Sequence, residues 1–234
     1  SKSREEFLGL VRKHQVVLVS GETGCGKTTQ IPQFLLEEAE RAGTSRACKV
    51  VVAQPRRIAA VGVAGRVAEE RCEGVGQGCG YHVRGDARYG PGTRLLFCTT
   101  GIVLRQLQGN PGLKGVSHII IDEVHERNMD SDFLMALLRR LLQQGSHLKV
   151  VLMSATMDTT RLAQYFRKGG GPAPPVIHIP GFTYPVTEHY LEHILRCTGY
   201  CPRGSGAVAT DDMDDGPGDG DGDGDRQKPQ PAGP

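Results

Sequence analysis

The run Gly21-Glu22-Thr23-Gly24-Cys25-Gly26-Lys27-Thr28 packs three glycines, an ammonium and two hydroxyls into eight residues, a set suited to holding phosphate. It fits G-x-x-x-x-G-K-[ST], in which glycines let the backbone curl until successive N–H groups point at phosphate oxygens. Lys27 then reaches the β- and γ-phosphates, and the Thr28 hydroxyl suits a Mg²⁺ ion. An apolar run, Val16–Ser20, precedes the loop and an amphipathic stretch follows it. The helix that opens there adds its partial positive charge to the site. A glycine-rich turn with an exposed lysine has the same letters, but it needs no strand before it and no helix after it.

A second constellation is His118-Ile-Ile-Ile-Asp122-Glu123-Val124-His125-Glu126-Arg127. An apolar strand ending in two carboxylates places them at the carboxyl edge of a parallel sheet, beside the phosphate loop. Transfer of a phosphoryl group to water needs a cation on the triphosphate and a group that orients the water. Asp122, with Thr28 and Glu123, suits the metal shell, and Glu123 suits positioning and deprotonating water. The plainer alternative is an acidic strand-to-helix turn in which Glu123 helps to cap the next helix. No guanine-reading NKxD segment and no serine-glycine ABC signature accompanies these residues.

The elements that must carry them alternate as in an α/β domain with a mainly parallel sheet covered by helices on both faces. Strands are expected at Val16–Ser20, Lys49–Ala53, Arg94–Cys98, His118–Asp122, Leu148–Met153 and Val176–Ile179. Helices are expected near Thr28–Ala42, Ile58–Arg71, Ile102–Leu107, Ser131–Gln144 and Thr159–Arg167. Phe133, Leu134, Leu137, Leu138, Leu141 and Leu142 recur at helical spacing and read as core. Glu73–Gly80 and Gly90–Gly92 read as surface loops, and Gly169–Pro175 as the stop after the last helix.

The 234 residues suffice for one well-buried domain and a tail. The net charge of +2 hides an asymmetry: from Asp211 onward there are eight Asp against Arg226 and Lys228. That leaves 26 Lys+Arg and 18 Asp+Glu, a net of +8, in residues 1–210. A basic body suits a polyanion partner without requiring one. The Gly/Pro/Asp-rich stretch 204–234 has almost nothing to bury and is expected to be a disordered acidic tail. Its Asp219–Asp225 run has calcium-loop spacing, yet Gln230 stands where a closing Glu belongs. No run approaches 18 apolar residues, so no membrane span is expected. The first residues lack a Met and read as mid-helix, which suggests a piece of a longer protein. Seven scattered cysteines without a CxxC pair suit a reducing compartment: cytoplasm, nucleus or mitochondrion. His189, His193, Cys197 and Cys201 fall four apart, but Gly199 and Pro202 interrupt the helix. A ladder about 18 Å long cannot converge on one zinc ion.

Together the motifs resemble those of the DEAH/DExH-box RNA helicases, over about Phe7 to Leu195. Gly21–Gln33 is similar to the family's motif I, Gln54-Pro55-Arg56-Arg57-Ile58-Ala59-Ala60 to motif Ia, and Thr99-Thr100-Gly101 to motif Ib. Asp122-Glu123-Val124-His125 matches motif II, in its DEVH form, and Ser154-Ala155-Thr156 matches motif III. Gly181–Val186 and Glu188–Glu192 are similar to the stretch after motif III in a mitochondrially associated member of the family.

The resemblance implies a first RecA-like domain at 1–195, a low-complexity tail at 196–234, and ATP with Mg²⁺ at the phosphate loop. It implies Lys27, Asp122 and Glu123 as catalytic residues, and an adenine-stacking role for Arg66. RNA backbone contacts are implied for Arg56, Thr99 and Thr100, and coupling roles for His125, Ser154 and Thr156. One departure is Gly85-Asp86 after Gly80-Tyr81-His82-Val83-Arg84, where many members carry Glu. The family's second RecA-like domain, with its arginine fingers, is the expected partner. The competing expectation is an RNA-binding or scaffold protein whose ATP site controls attachment without unwinding.

Overall fold

The structure, a computed structural model, describes residues 2–22, 24–155, 159–167, 169–181 and 186–200. The chain divides into two units, Ser1–Tyr184 and Pro185–Pro234. Among the described residues of the first, eight strands form one sheet: β1 (Val16–Gly21), β2 (Val50–Gln54), β3 (Cys79–Val83), β4 (Asp86–Arg88), β5 (Leu95–Thr99), β6 (His118–Ile121), β7 (Lys149–Ser154) and β8 (Val176–Ile179). Their order is β4-β3-β5-β2-β6-β7-β1-β8. Every neighbouring pair is parallel except β3 with β4.

Alternation along each strand builds two cores. In β1, Val17 and Val19 face the core that receives α1 (Lys2–Lys13), α2 (Lys27–Arg41) and α3 (Arg57–Glu70). Val16 and Leu18 face the other, which receives α4 (Thr100–Gly109), α5 (Met129–Gln143) and α6 (Thr159–Tyr165). In β6 the same rule sends Ile120 to the first core and Ile119 and Ile121 to the second. Strands buried on both faces must read as continuous apolar runs, which is why these were legible as strands. Truncating the fully buried Ile120 to Ala removes about 3 kcal/mol.

The expected strands and helices appear within one or two residues of their forecast ends. Four features differ. The first is α1, which the forecast left without bounds although the first residues read as mid-helix: its last turn is held by Lys149, whose Nζ donates to the carbonyls of Val11, Arg12 and His14 at 2.9, 3.3 and 3.0 Å. The second is β3, whose Cys79 and Gly80 fall in a stretch expected to be surface loop, yet are buried. A Cβ at Gly80 would collide with the Arg88 carbonyl, so glycine here marks close approach within the β3–β4 hairpin, not a loop. The third is the hairpin's turn itself, Arg84-Gly85, with Gly85 at φ +82°. The fourth is Phe133, expected in the core but 57 % exposed: Leu134, Leu138 and Leu142 form the buried line of α5, and Phe133 falls a hundred degrees or so to one side.

The second unit contributes α7 (Leu191–Thr198). His189 and His193 rings stack at 5.0 Å, and Cys197 Sγ lies 3.4 Å from His193 Nε2. Among the described residues no group of three or more His, Cys, Asp or Glu could hold a metal ion. Nor, among them, is any helix long and apolar enough to cross a membrane. The acidic tail, with Cys201 and Asp219–Asp225, lies outside the described residues, as do Thr23, Thr156 and residues 182–185.

Candidate nucleotide and nucleic-acid site

The carboxyl edge of the sheet gathers the loop after β1, Thr99 and Thr100 at the end of β5, Asp122 and Glu123 after β6, and Ser154 at the end of β7, while Arg66 lies elsewhere. β1 ends at Gly21, where an added Cβ would sit 2.6 Å from the Ile179 carbonyl oxygen of β8, so only glycine fits. Gly24 and Gly26 take φ of +83° and +82°, turning the loop back onto the start of α2. Lys27 is buried, and its Nζ donates to the Gly21 and Glu22 carbonyls at 2.6 and 2.8 Å. The ammonium is therefore held over the inside of the loop by the loop's own backbone. Glu22, Cys25 and Thr28 complete the curl, with Cys25 Sγ 3.5 Å from Lys27 Nζ.

Thr28 is joined to the end of β6. Its Oγ1 donates to Asp122 Oδ2 at 2.7 Å, and the same oxygen accepts from Gln54 Nε2 at 2.8 Å. The other oxygen, Oδ1, accepts the Glu123 backbone N–H at 2.9 Å. Asp122 is only 1 % exposed, so these bonds answer the cost of burying a charge. A hydroxyl and a carboxylate this close form an all-oxygen pair that suits a hard divalent cation such as Mg²⁺.

Glu123 leaves the strand in a left-handed conformation, φ +53°, and Arg127 does the same at +51°. Between them runs a single 3₁₀ turn, Val124–Glu126. Left-handed residues other than glycine cost energy, and they are kept where the surroundings fix them. Burial, and then the neighbouring Asp122 charge, raise the Glu123 carboxyl above its ordinary 4.5, the direction a general base needs. His125 Nδ1 accepts the Ala155 N–H at 3.2 Å and lies 3.4 Å from Glu123 Oε2. The ring thereby ties the turn to the end of β7, where Ser154 is buried.

Beside this lies a groove of about 930 Å³. The first residues of three helices meet in it: Arg57 of α3, Thr100–Ile102 of α4 and Met129–Ser131 of α5, with Arg84 and Arg105 along its walls. Helix starts and arginines favour an anion here, against the Asp130 carboxylate that lines the same groove. Thr99 lines the groove. Thr100 also lines it but is buried, and its hydroxyl donates inward to the Gln54 carbonyl at 3.3 Å. Arg56, 72 % exposed, pairs with Glu126 at 2.8 Å. Arg66 stands apart on α3, 64 % exposed, its Nε–H on Glu70 at 2.9 Å.

The sequence profile of the DEAD/DEAH box helicases matches residues 2–164. The chain belongs to that family. The mostly parallel sheet is accordingly a RecA-like helicase domain. Among similar proteins, the DExH-box ATP-dependent RNA helicase DExH3 of Arabidopsis thaliana is 50 % identical over 199 residues, covering 85 % of this chain and 16 % of its own length. The putative ATP-dependent RNA helicase DHX57 of Homo sapiens is 49 % identical over 199 residues, 85 % of this chain and 14 % of that protein. The ATP-dependent RNA helicase DHX30 of Rattus norvegicus is 51 % identical over 197 residues, 84 % of this chain and 16 % of that protein. The chain thus spans about a sixth of the length of these relatives.

Within this helicase domain, sequence reading left Gln54, Arg57, Arg84 and Arg105 without a role. Gln54 carries a visible signal: a polar residue closing the apolar run Val50–Ala53, where a buried amide needs a partner. Arg105 carries none, because an arginine on an amphipathic helix looks like any solvated one.

Proposed function

We propose that this chain is the ATP-binding lobe of an ATP-driven RNA helicase, a lobe of residues 1–195 followed by a low-complexity tail at 196–234. One observation carries the reading: Gln54 joins the two halves of the edge. Its side chain bonds Asp122 beside the phosphate loop, and its backbone carbonyl accepts from Thr100 in the groove. Gln54 is thus one buried residue that touches both the metal pair and the groove, placed to pass a change at the triphosphate to the groove.

In this reading the loop from Gly21 to Thr28 wraps the phosphates of ATP, and Lys27 exchanges its two loop carbonyls for β- and γ-phosphate oxygens. Thr28 and Asp122, with Glu123 beside them, hold Mg²⁺, which neutralises charge on the triphosphate. Glu123 orients the attacking water and takes its proton, and His125 with Ser154 and Thr156 passes the nucleotide state across to β7. Arg66 stacks on the adenine.

The groove takes the RNA sugar-phosphate backbone through Arg57, Arg84, Arg105 and the α4 start at Thr99 and Thr100; Arg56, which does not line the groove, joins the contact by exchanging Glu126 for a phosphate. Thr100 serves by its position at the helix start, since its hydroxyl is turned inward. Such contacts grip without reading sequence. Turnover needs a second RecA-like lobe to bring arginine to the transferring phosphate. A reducing compartment, whether cytoplasm, nucleus or mitochondrion, suits the six described cysteines, all free.

The test is the salt dependence of binding to a fluorescent oligouridine. Arg105→Ala should weaken binding and flatten the log–log salt slope by about 1. An unchanged affinity and slope across Arg57→Ala, Arg84→Ala and Arg105→Ala would remove RNA from the groove.

A further inference from the structure

Glu70 belongs to none of the helicase motifs, yet it joins two of the site's supports. Arg66 and Glu70 are one turn apart on α3, with Arg66 Nε donating to Glu70 Oε1 at 2.9 Å. The other carboxylate oxygen accepts two bonds from α2, from Gln30 Nε2 at 2.9 Å and Gln33 Nε2 at 2.8 Å. Gln33 is 6 % exposed, and its amide also donates to the Thr29 carbonyl at 3.1 Å, so it is fixed on the first turns after Lys27. These bonds, the Gln33 amide first and Arg66 next, hold the Glu70 carboxyl below its ordinary value.

An arginine–carboxylate pair on one exposed helix face contributes little by itself, because both side chains move freely in water. Glu70 differs because its second oxygen is pinned by two amides from another helix. Arg66 is thereby referenced to α2, the helix that begins at the phosphate loop. Among the described residues only the Nε edge of the guanidinium is used, and its plane is left to stack. A plane set before binding loses less freedom when a base arrives.

We propose that Glu70 is a positioning residue for the nucleotide base: it fixes the Arg66 guanidinium relative to the phosphate loop, so that base and phosphates are met in one rigid geometry. This rests on the reading of Arg66 as the adenine-facing residue. It predicts a defect confined to the part of affinity that the base supplies.

The experiment is calorimetry of the 234-residue chain with Mg²⁺–ADP and, separately, Mg²⁺–pyrophosphate. Arg66→Ala should weaken ADP about tenfold. Glu70→Ala should weaken it about three- to fivefold. Neither should alter pyrophosphate. Glu70→Gln keeps the volume but turns one of the two acceptors into a donor, so it must break either the Arg66 bond or the bonds to α2; it should weaken ADP as Glu70→Ala does, and it covers the case in which Glu70→Ala folds poorly. If Arg66→Ala weakens ADP while Glu70→Ala does not, the positioning role is overturned and the adenine reading stands. Parallel losses for ADP and pyrophosphate in Glu70→Ala would also overturn it, by showing that Glu70 acts on the phosphate loop. No ADP defect in Arg66→Ala removes the adenine reading itself.

Discussion

Gln54 and Asp122, sixty-eight residues apart in sequence, meet at the buried edge of the sheet through a 2.8 Å bond from the Gln54 amide to Asp122 Oδ2. The same carboxylate oxygen holds Thr28, so Gln54 fixes the orientation of the pair suited to the metal. Gln54→Ala removes this bond and the buried side-chain atoms that make it, and leaves the Thr100 bond, which uses the Gln54 backbone carbonyl. A buried bond to a charged group contributes about 1.5–3 kcal/mol. Gln54→Ala should lower the unfolding free energy by at least that amount. It should also weaken ADP binding more with Mg²⁺ than without it. Equal losses in the two conditions would detach Gln54 from the metal pair.

Lys27 is predicted to matter for nucleotide and little for folding. Its ammonium is satisfied by two loop carbonyls, and its aliphatic stem is buried. Lys27→Met keeps the stem and deletes the charge. Calorimetry should show ADP affinity reduced about a hundredfold, with the circular dichroism spectrum unchanged. Retained affinity would take the triphosphate away from this loop.

Glu123 gives a pH signature. Its carboxyl is raised above 4.5, by burial first and by Asp122 next. A group whose folded pKa is raised contributes stability that is complete below its unfolded pKa and is lost as pH rises through the folded value. At pH 7 the charged side chain is therefore a liability. Glu123→Gln, neutral throughout, should melt higher than the parent at pH 7, and the gap should close on acidification below the ordinary glutamate range. Thermal scans at the two pH values check this, and a lower melting temperature for Glu123→Gln at pH 7 would contradict it.

His118, at the start of β6, carries the opposite sign. Burial first, and then the Lys149 charge, push its pKa down to about 4. Its contribution to stability is complete above the ordinary 6.5 and is lost as pH falls toward 4. In urea unfolding, His118→Gln should show a shallower loss of stability than the parent between those values. Identical acid profiles would show that His118 titrates normally in the folded chain.

The strands and helices around the site were legible because burial on both sheet faces forces unbroken apolar runs, as at Val50–Ala53 and Ile119–Ile121. The phosphate loop and Asp122–Glu123 were legible because their chemistry demands particular residue types at a strand end. β3 was hidden by Cys79 and Gly80, since glycine punctuates loops and close approaches alike and only the Arg88 carbonyl tells which. Phe133 was misplaced because six apolar residues on α5 describe a stripe wider than the surface available to bury it. The inward turn of the Thr100 hydroxyl and the bonding of Glu70 depend on which helices meet, and local spacing does not encode that.

The central claim is that this lobe binds ATP and RNA on one edge and needs a second RecA-like lobe to turn over. Phosphate release with and without single-stranded RNA tests it, on the 234-residue chain alone and on the same chain continued into a second lobe. An arginine supplied by the partner lobe is worth roughly a thousandfold or more. The chain alone should therefore release little phosphate, the two-lobed form should release it in an RNA-stimulated manner, and Glu123→Gln should abolish that release. Full RNA-stimulated turnover by the chain alone, or undiminished turnover in Glu123→Gln, would contradict the account.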